Sequence, residues 1–388
     1  MRRINFSNHL YLFYSLIFIL DVIHIFWSNT LLYSVIGILG IVMVVINFPK
    51  ADRVFKILGA ILLAAGGIFY VSSDVPVTKI PSFFAGNIGL LLLLSMLPWM
   101  NSVVKAGRYN RLLQSLLGGN VKGMGDLYVR SEATMVSLAA FLNLSSATIS
   151  QDLLKNQLNK AQDTVRNSFI AMSTLRGYSL ALLWSPLEIL LATSIFITGA
   201  NYLEVLPWML FVAILGFTVD ACIGKMMFRK EEVGGPSTSV RTVGVNKKKL
   251  IEFIAALVMF LIVVVFLANV IHFNFLFSVT IAIFPFAFIW ALLMKRRRSF
   301  FLIGWPNWKR QMNHLSNFIV LLLSLSFLTE TLNASPYLSY LQDPLIALDG
   351  HPVFIMLFIQ AAFLVMTLLG VHPLATMGIF GGVSGLLM

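Results

Sequence analysis

Runs of apolar residues alternate with short polar stretches along the whole chain. The runs cover about 10–27, 31–48, 57–71, 82–100, 177–199, 206–224, 250–270, 275–294, 315–333 and 352–371. A helix needs about 20 apolar residues to cross the hydrocarbon of a bilayer, so each run predicts a transmembrane helix, about ten in all. Residues 131–149 depart from the pattern. SEATMVSLAAFLNLSSATI is short for a crossing and carries Thr134, Ser137, Asn143, Ser145, Ser146 and Thr148. Basic residues flank it on both sides: Lys105, Arg108, Arg111, Lys122 and Arg130 before it, Lys155, Lys160, Arg166 and Arg176 after it.

Lys and Arg collect on the cytoplasmic side of polytopic proteins. With the N-terminus in the cytoplasm, the basic stretches 49–56, 101–130, 150–176, 225–249 and 295–313 all fall inside, and of 28 Lys and Arg residues only Lys79 falls outside. This arrangement requires 131–149 to enter and leave by the same face, as a re-entrant hairpin. Irregular backbone at membrane depth survives only inside protein or beside water, so a polar hairpin there is a place to hold a solute.

Composition agrees with an all-α integral membrane protein: 58% hydrophobic residues, 11% charged, and a mean hydropathy of +0.87. The net charge of +12 follows the loops of one side, an orientation signal for a bilayer and not a nucleic-acid footprint. The tract Lys295-Arg296-Arg297-Arg298 suits anionic headgroups. The single cysteine, Cys222, excludes an internal disulfide. The basic, apolar N-terminus has Asp21, His24 and Trp27 where a secretory cleavage site would stand. It reads as a retained first helix with a local Asp21–His24 pair.

The chain divides near residue 203. Residues 1–203 hold helices 1–5 and the hairpin 131–149; residues 204–388 hold helices 6–10, with 334–350 either a second hairpin or an external loop, and a broken helix in 352–388. Each half ends in an apolar segment interrupted by proline, at Ser185-Pro186 and at His372-Pro373. The halves run in opposite directions, so the chain reads as two inverted repeats, each with a re-entrant hairpin and a Pro-broken helix. Proline frees a carbonyl one turn earlier, and the half-helix ends present partial charges.

The candidate solute-binding groups are therefore Thr134, Ser137, Asn143, Ser145 and Ser146 of the hairpin, Ser185 and Pro186 at the first break, and His372, Pro373 and Thr376 at the second. Glu188 and His372 are candidates for ion coupling, because ionisable groups at membrane depth are costly and histidine titrates near neutral pH. Glu132 reads as an N-terminal dipole partner at the hairpin start, and Asp220 and Glu330 as residues near helix ends. No nucleotide-binding loop, nucleophile elbow or metal-ligand spacing stands in the chain, so neither catalytic nor metal residues are expected.

This layout resembles the ion-transporter superfamily of secondary carriers, which includes divalent-anion/sodium symporters and arsenite and citrate carriers. The resemblance is architectural. Asn143-Leu144-Ser145-Ser146 is the nearest stretch to the Ser-Asn-Thr hairpin-tip motif of the anion/sodium symporters, and it differs from that motif. The resemblance implies a plasma-membrane carrier that moves a small organic anion by alternating access, coupled to Na⁺ or H⁺, with a homodimer among the arrangements left open. Two other readings remain: a membrane enzyme or flippase for lipid-linked saccharides, and a non-transporting subunit of a membrane complex.

Overall fold

The apolar runs fold as helices in the computed structural model, which describes residues 9–109, 112, 116, 123–229, 247–340, 351–368, 373, 374, 376 and 377. In chain order the helices are α1 (Leu10–Phe26), α2 (Thr30–Asn47), α3 (Arg53–Val71), α4 (Ile80–Phe83), α5 (Ile88–Ala106), α6 (Met124–Leu142), α7 (Leu144–Gln157) and α8 (Asp163–Leu182). They continue as α9 (Ile189–Thr198), α10 (Tyr202–Met227), α11 (Lys247–Asn269), α12 (Phe275–Leu293), α13 (Arg297–Asn313), α14 (Ser316–Asn333) and α15 (Pro352–Leu368). No strand occurs among the described residues. Asparagine starts three helices by accepting hydrogen bonds from their unpaired first N–H groups: Asn29 from Leu31 (2.8 Å), Asn201 from Leu203 (3.0 Å) and Asn274 from Phe277 (2.8 Å).

Seven helical segments are long and apolar enough to cross a membrane: Thr30–Lys50, Arg53–Val71, Val77–Ala106, Tyr202–Met227, Lys247–Asn269, Phe275–Leu293 and Ser316–Asn333. Helices α1, α9 and the greater part of α15 are apolar but shorter. Large apolar side chains such as Trp208, Phe211, Ile214 and Ile262 face outward, as a protein solvated by lipid requires and one in water would not tolerate at this density. The protein is a helical membrane protein.

The apolar run 177–199 is two helices, α8 and α9, separated at 183–188, around the expected break at Ser185-Pro186. Two other local readings differ from the sequence expectation. The basic stretch 295–313 is mostly the helix α13, because Phe300 gives it a buried anchor against Trp99, Phe284 and Phe288 at ring distances of 5.3, 6.3 and 6.3 Å. His24 stacks on Tyr33 at 4.9 Å, across the turn from α1 to α2, instead of pairing with Asp21.

The chain forms two compact units, Met1–Ser95 with Phe196–Gly199 and Trp308–Met388, and Met96–Ile195 with Ala200–Asn307. Each unit draws segments from both sides of residue 203. In the first, α14 is the central helix, with Leu321, Leu325 and Leu328 packed on Leu62 of α3. Fully buried Asn47 ties three segments: its Oδ1 accepts from Tyr14 (2.7 Å) and Ser316 (2.9 Å), and its Nδ2 donates to the Met43 carbonyl (2.8 Å).

In the second unit α6, α8 and α10 pack together around Met124, Leu127, Tyr128, Phe169 and Phe228. Gly177 permits the close approach of α8 to α6; a Cβ there would stand 2.9 Å from Met135 Cβ and 3.0 Å from the Glu132 carbonyl. An aromatic group of Tyr109, Phe141, Phe253 and Trp290 continues the core onto α11 and α12.

Candidate functional site

Two interrupted helices meet inside the second unit. The first interruption is Asn143, between α6 and α7, with φ 47° and ψ −137°. A non-glycine residue at positive φ is uncommon, and asparagine is among the few that tolerate it. The last helical bond before the break runs from Asn143 N–H to the Ala139 carbonyl at 2.9 Å, which leaves the next carbonyl, Ala140, without a partner from its own helix. The second interruption is 183–188, where Pro186 cannot continue the ladder. The Ser185 and Trp184 amides both return to the Ala181 carbonyl, at 3.0 and 3.3 Å.

Each break supplies what the other lacks. Ser185 Oγ donates to the orphaned Ala140 carbonyl at 3.0 Å. Asn143 Nδ2 donates to Glu188 Oε2 at 2.8 Å, and Tyr178 donates its O–H to Asn143 Oδ1 at 2.7 Å. Tyr202 donates to the Trp184 carbonyl at 2.7 Å, and Ser146 Oγ to the Asn143 carbonyl at 2.6 Å. Glu188 stands immediately before Ile189, the first residue of α9, so its carboxylate lies at that helix's N-terminus. That is the favourable end of a helix for negative charge. Glu188 is only 5% exposed, so the Asn143 amide and the helix end are what make its burial tolerable.

Of the candidate residues within 131–149, Asn143 and Ser146 join this junction. Thr134 is buried within α6, and Ser137 is exposed with its hydroxyl bonded back to Ala133 of its own helix at 2.9 Å. The side chain of Ser145 and the whole of His372 lie outside the described residues. Pro186 and Ser185 are buried at the first break. Pro373 and Thr376 belong to the other compact unit, where Thr376 is fully buried. Residues 341–350, which hold most of the candidate second hairpin, also lie outside the described residues.

Two tyrosines that complete the junction, Tyr178 and Tyr202, have no signal of their own in the sequence. A second polar group was equally hidden. Tyr128 donates to Asp220 Oδ2 at 2.7 Å, and Arg176 bonds Asp220 Oδ1. Asp220 therefore stands inside α10 with partners from α6 and α8, away from the helix end expected for it. Glu132, expected at a helix start, is mid-helix in α6 and fully buried. Among the described residues, no group of three or more His, Cys, Asp or Glu side chains is placed to hold a metal ion. Comparison with protein-family models, with curated proteins and with solved structures found no match.

Proposed function

We propose that the protein is a secondary carrier that moves a small organic anion across the membrane by alternating access, with the solute held where the α6–α7 and α8–α9 breaks meet. One observation carries the reading: the Asn143–Glu188 bond joins two interrupted helices through a half-buried amide and a buried carboxyl. Interrupted helices at membrane depth present backbone and side-chain polar groups that a continuous helix consumes internally.

Glu188 occupies the N-terminus of α9, the place an anion would take. An anionic solute enters it with least repulsion when Glu188 is neutral. This makes H⁺ the coupling ion of the reading, with Glu188 its carrier and Asn143, Ser185 and Tyr178 the groups that exchange partners with the solute. The residues 131–149 form the re-entrant hairpin, turned at Asn143.

The test is uptake into proteoliposomes of a labelled panel of mono-, di- and tricarboxylates under an imposed pH gradient, with a Na⁺ gradient as the comparison. Accumulation driven by the pH gradient, abolished in Glu188→Gln, is the expected result. Topology is checked in the Cys222→Ser background with single cysteines at Gln114 and Gln157, both of which should label from the cytoplasmic face. Labelling of Gln157→Cys from the opposite face, together with no uptake of any panel member, would refute the carrier.

A further inference from the structure

Glu132 presents a separate problem of charge. It is fully buried in α6, and neither carboxyl oxygen has an N–H or O–H partner among the described residues. The polar group that faces it is the carboxyl of Asp220 on α10. Asp220 is already held on both oxygens, by the Tyr128 hydroxyl of α6 and the Arg176 guanidinium of α8. Two ionised carboxylates placed together repel, and neither can donate a hydrogen bond. A buried, unpaired carboxylate is strongly disfavoured.

A metal ion does not resolve the conflict, since Arg176 already brings a positive charge to Asp220 and would repel a second cation. One proton does. We infer that Glu132 and Asp220 bind a single exchangeable proton between them, forming a proton-binding site distinct from the Asn143–Glu188 junction. In its loaded form the neutral Glu132 acid donates its O–H to the Asp220 carboxylate. Unloading moves that proton from Glu132 to Asp220 and from Asp220 to water, leaving Glu132 as a carboxylate; no electron changes hands.

The surroundings give the proton a way out. Side-chain exposure rises from the fully buried Glu132 to 15% at Asp220 and 43% at Arg176. The other charged groups nearby are occupied or outward-facing. Asp126 and Lys225 pair at 3.0 Å, Arg130 is exposed on α6, and Asp152 and Lys155 are exposed on α7. The unloaded site carries Glu132, Asp220 and Arg176 as two negative charges against one positive. Loading it removes a net charge from the packing of α6, α8 and α10.

Infrared difference spectroscopy on the full chain in liposomes tests this without any solute. A step from acid to alkaline pH should remove the carbonyl stretch of a protonated carboxylic acid. That signal should be absent from Glu132→Gln and present in Glu188→Gln. A Glu132→Gln spectrum that keeps every acid band of the wild type would overturn the inference. Asp220→Asn is the second variant, for the case that Glu132→Gln does not fold. It frees Arg176 to pair with Glu132, so the acid signal should already be missing at neutral pH; an unchanged signal overturns the site. Failure of anion uptake with this spectral signature intact would remove the carrier reading and leave the proton site standing.

Discussion

Replacing Asn143 by alanine and by glycine separates the two tasks of that residue. Both variants lose the bond to Glu188 and the bond from Tyr178. A hydrogen bond to a charged group contributes about 1.5–3 kcal/mol and a neutral one about 0.5–1.5 kcal/mol, so the shared loss is roughly 2–4 kcal/mol. Alanine keeps the Cβ that asparagine already carries at the positive φ of 47°, whereas glycine adopts that φ freely and relieves about 1–2 kcal/mol of the strain. For a folded unit of this size each kcal/mol shifts the melting temperature by about 2–4 °C. Asn143→Ala should therefore melt roughly 4–15 °C below wild type, and Asn143→Gly about 2–8 °C above Asn143→Ala. The assay is thermal unfolding of the purified protein in detergent, followed by tryptophan fluorescence. Equal melting of the two variants would refute the backbone argument. Wild-type melting of both would remove Asn143 from the junction altogether.

Two further substitutions probe the packing on either side of this reasoning. Ser185→Ala leaves the Ala140 carbonyl buried without its donor and should cost about 1–3 kcal/mol; Ser185→Thr, which keeps the hydroxyl, should recover most of it, and a neutral alanine in the same melting assay counts against the cap. Gly37→Ala places a Cβ 1.8 Å from the Pro81 carbonyl oxygen, a clash with rigid backbone that should cost roughly 3 kcal/mol or more and separate α2 from α4, so that unchanged melting would show the two segments packed differently.

How far the sequence revealed this molecule depends on what kind of signal each feature leaves. Long apolar runs need lipid along their length, and α2, α10, α11, α12 and α14 lie within about four residues of where that demand placed them. The break at Ser185-Pro186 was legible because proline removes a donor wherever it stands. The break at Asn143 was legible only as polarity out of place. What the sequence could not carry was partnership. Tyr178 and Tyr202 look like ordinary aromatic residues until α8 and α10 bring their hydroxyls to Asn143 and the Trp184 carbonyl. Arg176 looked like one more basic residue before an apolar run, yet it lies inside α8 with Asp220. The helix α13 was missed for the converse reason: its basic start masks Phe300, whose burial holds it in place.

A comparison of Asn47 with Asn143 shows why the junction, and not simply any inward-facing amide, is the candidate site. Asn47 and Asn143 each use both ends of the amide. Asn47 does so with two hydroxyls and the carbonyl one turn before it, next to an unbroken helix, and every partner is neutral. Such a bond set is finished: nothing in it changes with protonation or with a solute. Asn143 stands at a backbone interruption and holds a carboxylate. Protonating Glu188, or offering Asn143 another acceptor, changes the energy of that bond by an amount comparable to the bond itself. The geometry around Asn47 therefore stabilises one arrangement, whereas the geometry around Asn143 can favour either of two. Substituting each by aspartate should expose the difference. Asn47→Asp loses the bond to the Met43 carbonyl and buries a new charge held by two hydroxyls, and the loss should fall on stability at every pH above the acid range. Asn143→Asp sets a second carboxyl against Glu188, and its loss of stability should be recovered as the pH falls and one proton is taken up between them. Melting curves across the pH range read both directly; a pH-independent deficit in Asn143→Asp would mean that Glu188 is not free to accept that proton.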